Sequence, residues 1–99
     1  MGHPLTWRIG SYTNTAVTVG NTTTAILAAE PSRMHVVIVN DSDEAVYLAF
    51  GADAVLNSGV RLNASGGSYE MNPDNLYAGA INGICTSGQK VVTVVEGIK

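Results

Sequence analysis

The strongest strand signal of the chain lies in residues 33–50, RMHVVIVNDSDEAVYLAF. Residues 33–39 carry apolar side chains on both faces of the strand that they predict, because alternate residues of a strand point to opposite sides. A strand that is apolar on both faces is buried on both, or is covered on one by a neighbouring subunit. Residues 40–44 read as a polar loop, and Ala45–Phe50 predicts the partner strand, so we expect a β-hairpin with a five-residue connection.

Similar short apolar segments, separated by turn residues, continue on both sides of this pair. Gly20-Asn21, Pro31 and Asn72-Pro73-Asp74-Asn75 are the clearest breaks. The predicted strands span residues 16–19, 23–28, 33–39, 45–50, 59–63, 68–71, 76–85 and 90–96. About eight short antiparallel strands without a long helix predict a single all-β domain, a β-sandwich of jelly-roll type.

The first residues of the chain follow a different pattern. Residues 1–14 predict an extended amino-terminal arm, which precedes a β-sandwich domain over residues 15–99. The arm contains four large side chains, Leu5, Trp7, Ile9 and Tyr12, of which the first three share one side of an extended segment. A free terminus is normally polar, so we expect these side chains to dock on a surface. That surface is either the open end of the domain's own core or a partner.

The composition limits the possible classes of protein. Charged residues make up 13% of the 99 residues, about half of the usual ~25%, and this mildly favours burial of protein faces in an oligomer. The net charge is −3 and the five Lys and Arg residues are scattered, whereas a nucleic-acid interface clusters them. The single cysteine, Cys85, excludes an internal disulfide and lies in an apolar stretch, where we expect it to be buried.

The amino terminus shows neither the basic start nor the apolar core of a signal peptide. No apolar run approaches the ~20 residues that a membrane helix needs. We therefore expect no membrane contact, and a protein that is made in a cytoplasm and stays there or joins a particle assembled there.

No pattern in the chain predicts catalytic, cofactor-binding or metal-binding residues. The acidic loop, residues 40–44, lacks the glycine and the closing glutamate of a calcium loop. His3 and His35 are far apart in the sequence, and the glycine-containing stretch 63–68 lacks the lysine of a phosphate loop. An enzyme is therefore the weakest of the functional hypotheses.

The order of the segments resembles that of small structural proteins encoded among the structural genes of tailed bacteriophages. The segments are AVTV (16–19), TAILA (24–28), the strand from Arg33 to the NDS of residues 40–42, YLAFG (47–51), GSYE (67–70), NLYAGAI (75–81) and VTV (92–94). The resemblance implies a virion protein. Within that class it implies a capsid decoration (cement) protein, or a subunit of a head fibre, neck or tail.

A decoration protein of this kind would bind the phage major capsid protein at subunit junctions on the outside of the shell. The resemblance further implies a homotrimer, because closed cyclic symmetry matches a local symmetry axis of the capsid. Its location would be the capsid surface of a virion assembled in the host cytoplasm. Leu5, Trp7, Ile9 and Tyr12 are then the candidate partner-binding residues, since Trp and Tyr are favoured anchors.

The rival hypothesis is a carbohydrate- or receptor-binding module, because jelly rolls also serve that use. Trp7, Tyr69 and Tyr77 would form the platform on which a sugar stacks.

Overall fold

A computed structural model describes residues 8–99, so Leu5 and Trp7 lie outside the described residues. The described chain contains eight β-strands and no helix, which confirms the predicted all-β class. The strands are β1 (Ser11–Val19), β2 (Thr24–Leu27), β3 (Arg33–Asn40), β4 (Val46–Phe50), β5 (Val60–Leu62), β6 (Ser68–Met71), β7 (Ile81–Ile84) and β8 (Lys90–Ile98).

The strands form two four-stranded sheets in which every pair is antiparallel. Sheet A has the order β1-β8-β3-β6, and sheet B has the order β2-β7-β4-β5. The pairs are nested along the chain: β1 pairs with β8, β2 with β7, β3 with β6 and β4 with β5. The two halves of the chain therefore run alongside each other, and the polypeptide reverses between β4 and β5.

One apolar cluster takes side chains from both sheets. Its fully buried members are Val19, Val36, Ile38, Met71, Val92 and Val94 from sheet A and Val46, Leu48, Leu62 and Ile81 from sheet B. Burial of each such side chain contributes about 1.5–3 kcal/mol. Because every second residue of β3 and β8 points into this cluster, the residues between them point to the opposite side of sheet A.

The predicted hairpin between residues 33–39 and 45–50 is wrong. β3 belongs to sheet A and β4 to sheet B, so the connection crosses from one sheet to the other. The side chain of Asn40 stabilises this connection and is fully buried. Its Nδ2 donates to the carbonyl oxygens of Glu44, Leu62 and Asn63 at 2.7, 3.0 and 3.2 Å. In this arrangement each strand buries one apolar face in the shared core, with Val36 and Ile38 contributed by sheet A and Val46 and Leu48 by sheet B.

β1 begins at Ser11, five residues earlier than the strand predicted from Ala16. Residues 11–14, which the sequence places in the arm, pair with β8 from Ser11–Ile98 to Asn14–Val95. The extension follows from β8, which runs to Ile98 and offers a backbone partner along that length. The part of the arm that the structure describes outside a strand is therefore residues 8–10.

β7 is shorter than predicted, because residues 76–80 form a loop instead of a strand. The fully buried Arg33 side chain occupies that loop, since its Nη1 donates to the carbonyl oxygens of Tyr77 and Gly79, both at 2.8 Å. Its Nη2 donates to the carbonyl of Ala28 at 2.7 Å, and its Nε forms an ion pair with Glu96 at 2.8 Å. One guanidinium thus joins the β2–β3 turn, the β6–β7 loop and β8.

Candidate binding surface

The side of sheet A that points away from the core is the candidate functional site. Opposite residues of an antiparallel pair share a face. The register places Val37 beside Val95 and Val39 beside Thr93, and all four are half-buried. The outer face, as we call it, comprises Tyr12, Asn14, Ala16 and Thr18 of β1, Val91, Thr93, Val95 and Gly97 of β8, His35, Val37 and Val39 of β3, and Ser68 and Glu70 of β6.

The ionisable groups of the outer face cluster at one end, while Asp41, whose N–H donates to the carbonyl oxygen of Val91 at 3.1 Å, lies just beyond the other end of β3. His35 Nε2 lies 2.7 Å from Glu70 Oε2, and Tyr12 Oη lies 3.3 Å from His35 Nδ1. The rings of Tyr12 and His35 meet edge to face, with centroids 6.0 Å apart. The rows that contain Val37, Val39, Val91 and Val95 hold no other ionisable side chain than Glu70. The centre of the face is therefore apolar and its end is polar.

Two of the four predicted arm residues lie on this face. A Cβ on Gly97 would come within 2.7 Å of Tyr12 Cε1 and 3.0 Å of Ile9 Cγ2, so the missing side chain gives both residues room against β8. Tyr12 is still 49% exposed. The structure therefore brings Ile9 and Tyr12 together on the outer face, while Leu5 and Trp7 fall outside the described residues.

Sheet B differs, because its own loop between β4 and β5 packs against it. Ala54 in this loop is buried, and its backbone N–H donates to Thr23 Oγ1 at 2.8 Å. The Asn82 side chain donates to the carbonyl of Ala52 at 2.7 Å, and the Tyr47 hydroxyl donates to Asn57 at 3.0 Å. Within residues 8–99, no comparable set of hydrogen bonds ties a loop across the valines of sheet A.

Tyr69 and Tyr77, two members of the suggested sugar platform, come together around Phe50. The centroid of Phe50 lies 5.5 Å from that of Tyr69 and 5.7 Å from that of Tyr77, whose ring is inclined by only 22°. All three are partly buried against the core cluster. The Tyr77 hydroxyl also occupies the space that a Cβ on Gly51 or Gly79 would take. These rings close one end of the core, and Trp7 lies outside the described residues.

The acidic loop lies at the opposite end of the molecule from this aromatic cluster. Together with the β5–β6 turn it lines a groove of about 530 Å³, whose lining residues are Asp41, Ser42, Asp43, Ser65 and Gly66. Lys90 Nζ lies 2.7 Å from Asp43, and this hydrogen bond and charge lower the pKa of Asp43 and raise that of Lys90. In the described part of the chain no three His, Cys, Asp or Glu side chains come together as a metal site.

Cys85 is fully buried, with its Sγ 3.4 Å from the carbonyl oxygen of Val19, as the apolar context predicted. The described residues include no helix that is long and apolar enough to cross a membrane.

The sequence pattern singled out the arm residues as partner-binding and did not indicate Val91 or Val95 as part of a binding surface. The pattern of residues 33–39 contained the relevant signal, because it predicted a strand with apolar side chains on both faces. Placing Val95 beside Val37 requires the β3–β8 register, and placing Val91 beside Thr18 requires the β1–β8 register; no local pattern specifies either.

Comparison of the chain with protein-family models, with curated proteins and with solved structures found no match.

Proposed function

We propose that this protein is a structural virion protein that binds the outside of a tailed-phage capsid at subunit junctions and stabilises the shell as a cement protein. We further propose that its two sheets form a β-sandwich of jelly-roll type. The nested strand pairing supports this assignment, since jelly rolls wrap eight antiparallel strands into two sheets and are common in viral capsid domains.

The observation that supports docking is the outer face of sheet A. It presents partly exposed valines without charge at its centre, whereas monomeric proteins rarely leave contiguous apolar patches uncovered. The centres of protein interfaces are depleted of charge and enriched in aromatic residues, which fits the valines and Tyr12. The capsid junction is the occupant that we propose for this face.

The proposed mechanism is mechanical. Internal DNA pressure pulls shell subunits apart, and a rigid module bound across a junction adds contacts that must break first. Several copies held in one oligomer, a trimer in the proposed arrangement, act together so that avidity replaces high single-site affinity. Ile9 and Tyr12 contribute to the docking face, and Leu5 and Trp7 are proposed to extend it.

The test is co-sedimentation of the purified protein with mature capsids of the phage that encodes it, from which the protein has been removed. Val95→Lys places an ammonium group at the centre of the outer face and should weaken binding by more than about 2 kcal/mol, or more than about thirtyfold in affinity. Val55→Lys is the matched control, because Val55 is 59% exposed on the loop over sheet B. Equal binding of the two variants would contradict docking through sheet A.

The competing proposals are a head-fibre, neck or tail subunit and a carbohydrate-binding module. A subunit of the other virion parts would bind isolated necks or tails and not shells. A carbohydrate module would give a signal on a glycan array that is lost with Tyr77→Ala. Tyr77 already uses one ring face on Phe50, which leaves less of it for a sugar.

A further inference from the structure

β1 forms one edge of sheet A and carries no protection against pairing with another strand. It pairs only with β8, so its second backbone edge is free of partners among the described strands. The strand is nine residues long, and its sequence, SYTNTAVTV, contains no charged residue, proline or glycine. Seven of the nine residues are exposed. A long uncharged edge of this kind is a template for a further strand.

The other three edge strands differ from β1. β6 has four residues, one of which is Glu70, and β5 has three residues with Arg61 at its centre. β2 has four residues and a register shift between Ala25 and Leu27. Short length, charge and irregular pairing are the usual devices that prevent edge-to-edge association. The contrast singles out β1 as an edge that is available for pairing.

The described residues that lead into β1 contact β8 and do not pair with the free edge of β1. Gly10 still donates its N–H to the carbonyl of Ile98 at 2.7 Å, and Ile9 then lies against Gly97 of β8. Gly10 therefore continues the pairing of β1 with β8, and the Ile9 side chain lies near Gly97 on the outer face. The described part of the arm does not cover the edge of its own strand.

We propose that the free edge of β1 pairs with β1 of a second copy of this chain, antiparallel about a twofold axis. The required partner is an uncharged strand of similar length that itself has a free edge, and within the described residues β1 alone meets these conditions. A twofold axis at Thr15 places Thr13 opposite Val17 and Asn14 opposite Ala16 of the second copy. Every such pair is uncharged, and β-branched pairs stabilise antiparallel sheets.

The pairing joins two copies of sheet A into one continuous eight-stranded sheet, and residues of the two outer faces stay on the same side. The strands of sheet A contain nine, nine, eight and four residues, which at ~4.8 Å between strands and ~3.3 Å per residue gives a projected face of roughly 500 Å². Standard interfaces use about 800 Å² per partner. Joining two copies doubles the projected area of the face that the assembly presents on one side.

A twofold contact requires an even number of copies in the closed assembly. It is separate from the threefold contact of the proposed trimer, and a dimeric native mass would replace that trimer without deciding whether the protein binds a capsid. The inference is independent of capsid binding, because the native mass tests it without any capsid.

The experiment measures native mass by light scattering after size exclusion, over a series of protein concentrations. We expect the full chain to form a dimer. Thr15→Lys places two ammonium groups opposite each other at the axis, and like charges directly opposite destabilise a strand pair. We expect this variant to raise the dissociation constant of the contact at least tenfold. Ser58→Lys, on the exposed loop over sheet B, is the control and should leave the mass unchanged.

Thr15→Glu should weaken the contact in the same way, and mixing it with Thr15→Lys should restore the even-numbered species through opposite charges. The circular dichroism spectrum of each variant alone checks that it is folded. A monomeric or trimeric native protein would overturn the proposal. So would a folded Thr15→Lys variant with the native mass, or a mixture of the two variants that fails to reassemble.

Discussion

Replacement of Arg33 by methionine tests how the end of the two sheets is held together. The Arg33 side chain is completely buried and makes four hydrogen bonds, to Glu96 and to the carbonyl oxygens of Ala28, Tyr77 and Gly79. Methionine keeps an unbranched apolar side chain, ends short of the guanidinium position and supplies no donor. Arg33→Met therefore leaves one carboxylate and three carbonyl oxygens without their partner.

The magnitude follows from these contacts. Removing one partner of a buried ion pair costs about 3–5 kcal/mol. The Glu96 side chain is 18% exposed, so water relieves part of this cost. The three carbonyl oxygens add about 1 kcal/mol each where water cannot replace the donor. We expect a net loss of about 3–5 kcal/mol, which is a large part of the ~5–15 kcal/mol that stabilises a typical domain.

The assay is urea unfolding followed by far-ultraviolet circular dichroism, in which the midpoint should fall with little change in slope. Arg61→Met is the matched control, since it removes the same charge from an exposed position in β5 that has no ion pair within residues 8–99. The control should change the free energy of unfolding by less than about 0.5 kcal/mol. If Arg33→Met lowered the free energy of unfolding by less than about 1 kcal/mol, the buried hydrogen bonds of Arg33 would not stabilise the fold as described, because loss of a buried donor costs more than that.

Three further predictions concern loops and charges. Gly59 has φ of 81° and no room for a Cβ beside the carbonyl oxygen of Leu48, whereas Gly66, with φ of 110°, faces open space. Gly59→Ala should therefore lose about 1–3 kcal/mol more than Gly66→Ala in urea unfolding, and equal losses would contradict the clash. Asn40→Ala removes three donated hydrogen bonds at the crossing between the sheets, although Ser42 Oγ still donates to the carbonyl oxygen of Glu44 and the Gly67 N–H to that of Asn63. It should lower the free energy of unfolding by about 1–3 kcal/mol, and a neutral result would contradict that role. The Ser87 backbone N–H and hydroxyl lower the pKa of Glu44, and Lys90 lowers that of Asp43. Stability from these carboxylates is present above their unfolded pKa values of 4.5 and 3.8 and is lost as the pH falls through the lowered folded values. Thermal melts across this acid range should show a shallower fall for Glu44→Gln with Asp43→Asn, and an unchanged profile would contradict the assignment.

Local sequence pattern was sufficient for the all-β class and for the approximate position of the strands. Residues 68–71 have the predicted bounds, because polar turns delimit a short alternating segment on both sides. The crossing at Asn40 was not accessible, since a hairpin and a connection between sheets both need a short polar loop between apolar strands. The choice depends on β8 and β7, which insert beside β3 and β4 from far along the chain.

Buried polar contacts explain the error at residues 76–80. Their apolar side chains predicted a strand, but Arg33 takes the carbonyl oxygens of Tyr77 and Gly79. Arginine is rarely fully buried, so no local signal points to this use. The loop over sheet B was equally inaccessible, because the burial of Ala54 depends on Thr23 in another strand connection.

For the candidate site, the sequence pattern indicated one member of the central Val37–Val95 pair. Val37 belongs to the segment that predicted two apolar faces, and its partner Val95 is defined only by the β3–β8 register. The arm hypothesis singled out Ile9 and Tyr12, which the structure places against Gly97 on the same surface. The roles of Leu5 and Trp7 stay predictions.

We propose that this protein holds a phage shell together. The most direct measurement compares mature capsids that lack the protein with the same capsids after the purified protein is added back, and follows DNA release on heating. We expect the added protein to raise the temperature of release. The Val95→Lys variant should raise it much less than the Val55→Lys variant does. Release at the same temperature with and without the protein would contradict this proposal.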